Sequence, residues 1–301
     1  MQRVLTAIVT PFTSEKKVDM YSLISIIRFQ LQNSCGVVLF GTTGECPTIE
    51  KEERVMIMEE IIKVFASQKH HFVIGVGGNN TDDCIKNVEI AKKYGFTNFM
   101  ITTPYYNKPT QLGMETHFNT ICKSSLDSKF IIYNVPGRTS VNLSPQSVYN
   151  ICNQCSNVIA IKEASGDLGQ MRMIRRLCPK LTVYSGDDGN VIPAMSIGAY
   201  GVISVLSNYT PKTMNLITRY CSENQYETAN VIYDEVDDMI KLLFVEPNPT
   251  PIKYLLFKTK LIDTDEVRLP LLQFQSEENK KKLDICVDKL TKFYLNNPGK
   301  F

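Results

Sequence analysis

Eight short apolar runs, rich in β-forming residues, recur along the chain: Val4 to Val9, Val37 to Phe40, Phe72 to Val76, Phe99 to Thr102, Phe130 to Tyr133, Val158 to Ile161, Leu181 to Tyr184 and Val202 to Val205. Several are apolar at nearly every position, so both faces need cover, as in a parallel sheet flanked by helices. They follow one another at roughly 20 to 36 residues, room for one strand and one helix each. The segments between them carry the helical period. Ser22 to Leu31 and Glu53 to Phe65 repeat apolar residues at that spacing, and Thr81 to Tyr94 opens on a Thr-Asp-Asp helix start. Eight strand-helix units predict an α/β fold, a closed (β/α)8 TIM barrel. From about Pro211 onward the pattern is helix after helix, broken at Asn248-Pro249-Thr250-Pro251 and near Arg268-Leu269-Pro270. One helix completes the barrel. The reading is a catalytic barrel over 1–225 and a small C-terminal helical domain over 226–301.

Composition narrows the function classes. With 33 basic and 31 acidic residues the net charge is +2, which gives no long-range field for nucleic acid or an acidic membrane surface. No run approaches the ~18 apolar residues of a membrane span, and Met1 to Pro11 has too short an apolar core for a signal peptide. Nine cysteines at irregular spacing fit a reducing compartment, with the cytoplasm as the expected location. Cys152 and Cys155 form a lone Cys-x-x-Cys, but the pair closes a helical pattern beginning near Ser144-Pro145, where a redox pair would open one. Lys280-Lys281-Lys282 lies within a helical pattern and reads as a solvated face.

In a barrel of this kind the chemistry lies at the C-terminal ends of the strands. The sixth run leads into Lys162, and period-2 alternation places Val158, Ala160 and Lys162 on one face, with Ile159, Ile161 and Glu163 on the other. A primary amine held among apolar groups loses hydration of its charged form and becomes nucleophilic toward carbonyl carbon near neutral pH, the chemistry of Schiff-base formation. The other strand ends supply Gly41-Thr42-Thr43-Gly44-Glu45, Thr103 to Pro109 with Tyr105 and Tyr106, Tyr133 to Thr139 with Arg138, and Ser185-Gly186-Asp187-Asp188. Backbone N–H groups of the Gly-flanked turn could hold a carboxylate. An amine, hydroxyl proton carriers and one cation on a single rim suit an imine-forming carbon–carbon lyase or synthase. His70, His71 and His117 fall between elements or on a helical face, so neither a histidine metal cluster nor a Ser-His-Asp triad is expected. Asp187-Asp188 reads as a helix cap. Gly75 to Asn80 is only a partial dinucleotide fingerprint.

Taken together, these motifs resemble the dihydrodipicolinate synthase family, the 4-hydroxy-tetrahydrodipicolinate synthases, within the pyruvate-dependent class I aldolases. The resemblance runs from Thr6-Ala7-Ile8-Val9-Thr10-Pro11 through Gly201-Val202-Ile203-Ser204-Val205 to Glu246 to Lys253 and Arg268-Leu269-Pro270. It implies that Lys162 forms the Schiff base with pyruvate. Tyr133 would be the general acid and base, linked through Thr43 to Tyr106, the last reaching in from a neighbouring subunit. Thr42 and Thr43 would hold the pyruvate carboxylate and Arg138 that of L-aspartate 4-semialdehyde, while Gly186 and Ile203 would line the pocket through their carbonyls. It also implies a homodimer or homotetramer and no cofactor or metal.

Relatives such as N-acetylneuraminate lyase and 2-keto-3-deoxy-sugar-acid aldolases share the lysine. Arg138 and the Tyr105 to Pro109 loop favour the synthase, because a short amino-acid aldehyde wants a cation where a sugar chain wants hydroxyl partners. A catalytically silent binding barrel is the alternative of another class, and loss of the lysine, either tyrosine or Thr43 would have favoured it. For an L-lysine effector pocket the chain matches Asn79 and Tyr105, but it offers Cys46, Pro47, Lys51, Arg54 and Asp83 at the other corresponding positions. A guanidinium beside an ammonium disfavours binding, so weak or absent lysine inhibition is expected.

Overall fold

The structure, a computed structural model, describes residues 1–298; the last residues of the expected 226–301 helical region lie outside them. All eight expected strands form: β1 Val4–Ala7, β2 Gly36–Leu39, β3 Phe72–Gly75, β4 Asn98–Thr102, β5 Lys129–Asn134, β6 Val158–Glu163, β7 Thr182–Ser185 and β8 Gly201–Ser204. They pair in sequence order into a closed barrel. Parallel neighbours are the expected outcome, since each strand is separated from the next by a crossover that usually contains a helix.

Helix boundaries follow local chemistry. Met20–Gln32 begins where the Asp19 side chain accepts from Ser22 N. Thr81–Lys93 is capped one residue earlier than the Thr-Asp-Asp reading, by Asn80, which accepts from Asp82 N and Asp83 N. Pro145–Gln154 starts at a Ser144 cap, so Cys152 and Cys155 do stand at its end. After β8 come Pro211–Ser222, Tyr226–Tyr233, Asp237–Leu242, Thr250–Lys258 and Glu277–Asn296. The Lys280 to Lys282 cluster lies on the last of these, with Lys280 and Lys282 each 2.6 Å from Glu277 or Glu278, the ordinary fate of a helix-face charge run.

The chain divides into two compact units, Met58–Ile203 and Met1–Ile57 with Ser204–Phe301. Within the first, Phe99 and Phe130 pair in register across β4 and β5 with ring centroids 5.7 Å apart, both fully buried. Burying each such ring stabilises by roughly 1.5–3 kcal/mol. By alternation they face away from Tyr133, so helix-side packing and rim chemistry occupy opposite faces of one strand. Gly77 follows β3 for a steric reason: a Cβ there would lie 2.3 Å from Thr102 N.

One expectation fails on β6. Phe130 pairs with Val158 but Ile131 pairs with Ala160, a register shift at Ile159. One extra residue reverses which way the preceding side chain points. Val158 therefore does not share the face of Ala160 and Lys162, and strict alternation holds only from Ala160 onward.

Candidate active site

Within the Met58–Ile203 unit, register places Tyr133 opposite Lys162 and Lys162 opposite Tyr184. Lys162 is 7% exposed and Tyr133 5%. The Lys162 Nζ stands 4.2 Å from the Tyr133 ring centroid, over an electron-rich face that suits an ammonium without neutralising it. No carboxylate forms an ion pair with Lys162 among the described residues. Room for its stem depends on Gly186, where a Cβ would meet Ala164 Cβ at 2.5 Å and Lys162 Cε at 3.1 Å. Gly186 is fixed by its own N–H, which donates to Glu163 O at 2.8 Å.

Glu163, next to the lysine, is absorbed elsewhere. Its carboxylate accepts from Asn134 Nδ2 at 3.2 and 3.1 Å, from Ser165 N at 2.8 Å and from Gln170 Nε2 at 3.1 Å. Alternation along β6 places Glu163 only on the opposite face and gives no sign of this network, which locks the ends of β5 and β6 and keeps a buried carboxylate satisfied. Arg138 sits on the one-turn helix Pro136–Thr139, exposed and in no ion pair among the described residues. An unpaired guanidinium just past β5 is available to an anionic group. Ile203 lies on β8, 1% exposed. Tyr106 has a left-handed backbone, φ +69°, and a side chain 90% exposed.

Asp187 serves as the cap its position suggests, accepting from Gly189 N at 2.9 Å and from Asn190 Nδ2 at 2.6 Å. Among the described residues no three His, Cys, Asp or Glu side chains form a metal-binding group. His117 is buried on Gln111–Lys123 with Nδ1 2.9 Å from Thr81 Oγ1, and burial pushes its pKa down to about 4.

Within the other unit, the Gly41 to Glu45 turn closes through Gly44 N to Gly41 O and Glu45 N to Thr42 O. The Thr42 and Thr43 N–H groups take no part in that closure. Thr10 Oγ1 donates to Gly44 O at 2.8 Å, and Asn248 Nδ2 donates to Thr43 Oγ1 at 2.9 Å. Lys253 Nζ, fully buried, lies 2.5 Å from Glu45 Oε1 and donates to Glu266 O at 2.8 Å. Arg268 forks onto Glu53 with both contacts at 2.6 Å. In the sequence Asn248, Lys253 and Arg268 stand out only as motif positions, with no role attached. No local pattern marks them, because the side chain each one meets, Thr43, Glu45 or Glu53, lies more than 200 residues away.

The residues singled out as an effector site fall in both units and are placed unit by unit. Asn79 Nδ2 donates to Tyr105 O at 3.3 Å, and Asp83 lies 3.4 Å from Lys86 on its own helix. In the other unit Lys51 is exposed at the start of Lys51–Phe65. Arg54 caps its own loop, donating to Cys46 O at 2.6 Å and Ile49 O at 3.2 Å.

Comparison with known proteins gives a consistent answer. The model of the dihydrodipicolinate synthetase family matches residues 1–289. The 4-hydroxy-tetrahydrodipicolinate synthase of Endomicrobium trichonymphae is 37% identical over 282 residues, 93% of this chain and 95% of its own; that of Bacillus subtilis is 38% identical over 277 residues, 91% and 94%. Among solved structures, the dihydrodipicolinate synthase of Acinetobacter baumannii complexed with pyruvate superposes with a TM-score of 0.90 at 34% identity, covering 96% of this chain and 99% of that one. A match over nearly the whole length, at 37–38% identity to those two relatives, means that this chain belongs to the dihydrodipicolinate synthetase family.

Proposed function

We propose that this chain is a 4-hydroxy-tetrahydrodipicolinate synthase, a lyase that condenses pyruvate with L-aspartate 4-semialdehyde through a Schiff base in diaminopimelate and lysine biosynthesis. The observation that carries the reading is Lys162: a nearly buried amine, in register with Tyr133 and 4.2 Å from its ring, with no carboxylate pairing it. Its lone pair attacks the pyruvate carbonyl, and loss of water gives the imine. Tyr133 moves protons in these steps, with Thr43 and a partner subunit's tyrosine, the counterpart of Tyr106, continuing the relay. Deprotonation at the pyruvate methyl carbon gives an enamine that attacks the aldehyde. Arg138 holds the carboxylate of the semialdehyde, and the Thr42 and Thr43 N–H groups hold that of pyruvate. The amine of the second substrate then displaces Lys162 by transimination, closing the ring. The complex of the Acinetobacter baumannii relative with pyruvate and the names of the full-length relatives support this choice over sugar-acid aldolases.

The imine itself is the electron sink, so activity is expected to survive exhaustive chelation. The exposed Tyr106 side chain supports a dimer or tetramer in which each site is completed in trans. The barrel over 1–225 and the helical domain over 226–301 belong to the same reading. No helix of the described residues is long and apolar enough to cross a membrane, and all nine cysteines are free thiols, which supports a cytoplasmic setting. Arg54 brings a cation to the proposed effector pocket, so L-lysine is expected to inhibit weakly; half-inhibition below millimolar lysine contradicts that. For the reaction itself, pyruvate and borohydride should leave one pyruvyl-derived mass on the peptide containing Lys162. Label on another lysine overturns the assignment.

A further inference from the structure

Thr43 accepts a hydrogen bond at Oγ1 from Asn248 Nδ2, 2.9 Å away and 205 residues on in the sequence. Thr43 is 2% exposed and Asn248 7%. The other end of the amide, Oδ1, is buried with no hydrogen-bond partner among the described residues. An unpaired buried acceptor costs folding free energy. The asparagine thus leaves one end of its amide unmet while the other serves the Thr43 hydroxyl.

What the amide supplies is direction. A hydroxyl has one proton and two acceptor lone pairs. With the Nδ2–H filling one lone pair, the Thr43 proton is turned away from Asn248, and one lone pair remains free. That is the state in which a hydroxyl passes a proton along a chain: it receives one at the free lone pair and releases its own, with no net change of charge. The amide donor also steadies the oxygen when release runs ahead of receipt. A second tie keeps the two segments together, because Lys253 on the following helix pairs with Glu45 two residues after Thr43, at 2.5 Å and out of solvent.

We propose that Asn248 is a positioning residue for the Thr43 hydroxyl, fixing its orientation as a proton carrier. The inference rests on the reading above, in which Thr43 relays protons during imine and enamine formation.

The isosteric Asn248→Asp variant is the sharpest test, because its carboxylate accepts where the amide donates and so draws the Thr43 proton out of the relay. Asn248→Ala only frees the hydroxyl to rotate. Four quantities are to be measured: kcat, KM for pyruvate, exchange of the pyruvate methyl protons in D2O, and the end-point of borohydride trapping on Lys162. N248D is expected to lower kcat and exchange on the order of 100-fold and N248A about 10-fold. KM should stay within about twofold and trapping should reach the same end-point, a split that a purely structural role would not produce. In a Thr43→Val background neither variant should cost anything further. The proposal is overturned if N248D stays within about threefold of the parent kcat, if it loses as much without the Thr43 hydroxyl as with it, or if trapping falls in step with kcat. Should N248D fail to fold, N248A in the same cycle decides by the same criteria. Failure of the unaltered protein to trap pyruvate overturns the functional reading and this proposal with it, whereas normal trapping with no asparagine effect overturns the proposal alone.

Discussion

Lys162 and Lys253 are both lysines withdrawn from solvent, one in each compact unit, and they are satisfied in opposite ways. Lys253 has Glu45 Oε1 at 2.5 Å, the Glu266 carbonyl at 2.8 Å and the Phe12 ring at 4.0 Å. Burial pushes its pKa down to about 8, against the opposing pull of Glu45. Lys162 has the Tyr133 ring at 4.2 Å, small neighbours in Ala164 and Gly186, and no ion pair among the described residues. An amine saturated by fixed partners holds segments together. An amine that faces an aromatic ring and has no carboxylate partner is not tied up by an ion pair when a carbonyl arrives. Burial of a lysine is therefore a poor guide to catalysis, and the partners decide.

The largest expected effect separates the two outright. Lys162→Ala should abolish both turnover and pyruvate trapping while leaving the melting temperature close to that of the parent; residual trapping at another lysine breaks the distinction. Lys253→Met should do the reverse, destabilising by about 3–5 kcal/mol because Glu45 is left buried and unpaired, with trapping on Lys162 retained in the folded fraction. Adding Glu45→Gln should recover much of that loss in urea unfolding. Next, Arg138→Ala should weaken condensation by about 1.5–3 kcal/mol while leaving pyruvate trapping nearly intact. Equal loss of both would make Arg138 structural. Gly186→Ala should cost about 1–3 kcal/mol by overpacking, and because its Cβ meets Lys162 Cε it should slow trapping as well. Normal trapping rates in that variant would mean the lysine stem has more freedom than the packing allows.

The smallest effect is a pH dependence. The Lys253 pKa of about 8 in the folded chain lies below the ordinary lysine value of 10.5. Between those pH values the unfolded chain binds more protons, so this group's contribution to stability rises with pH across the window. Unfolding measured at both ends should show the parent gaining on Lys253→Met as pH increases. A relative loss would mean that the attraction of Glu45 outweighs the burial of the amine.

Tyr106 and Asn248 mark how far the sequence carries. The sequence by itself determined the eight strands, because apolar runs and helical periods are local and each element must bury its own stripe. It also located Lys162, Tyr133, Arg138 and the Gly-Thr-Thr-Gly turn at strand ends, while resemblance to a family supplied their roles. The exposed Tyr106 was legible as a motif position, yet its proposed function depends on a second chain. Tertiary structure alone decided the rest. The extra residue at Ile159 turns Val158 away from the lysine's face, since a bulge changes pairing without changing composition. Asn248 meets Thr43, Lys253 meets Glu45 and Arg268 meets Glu53 across more than 200 residues. A hydrogen bond or ion pair at such separation leaves no periodic trace in the chain, because what selects the partners is their proximity after folding and the cost of burying either one alone.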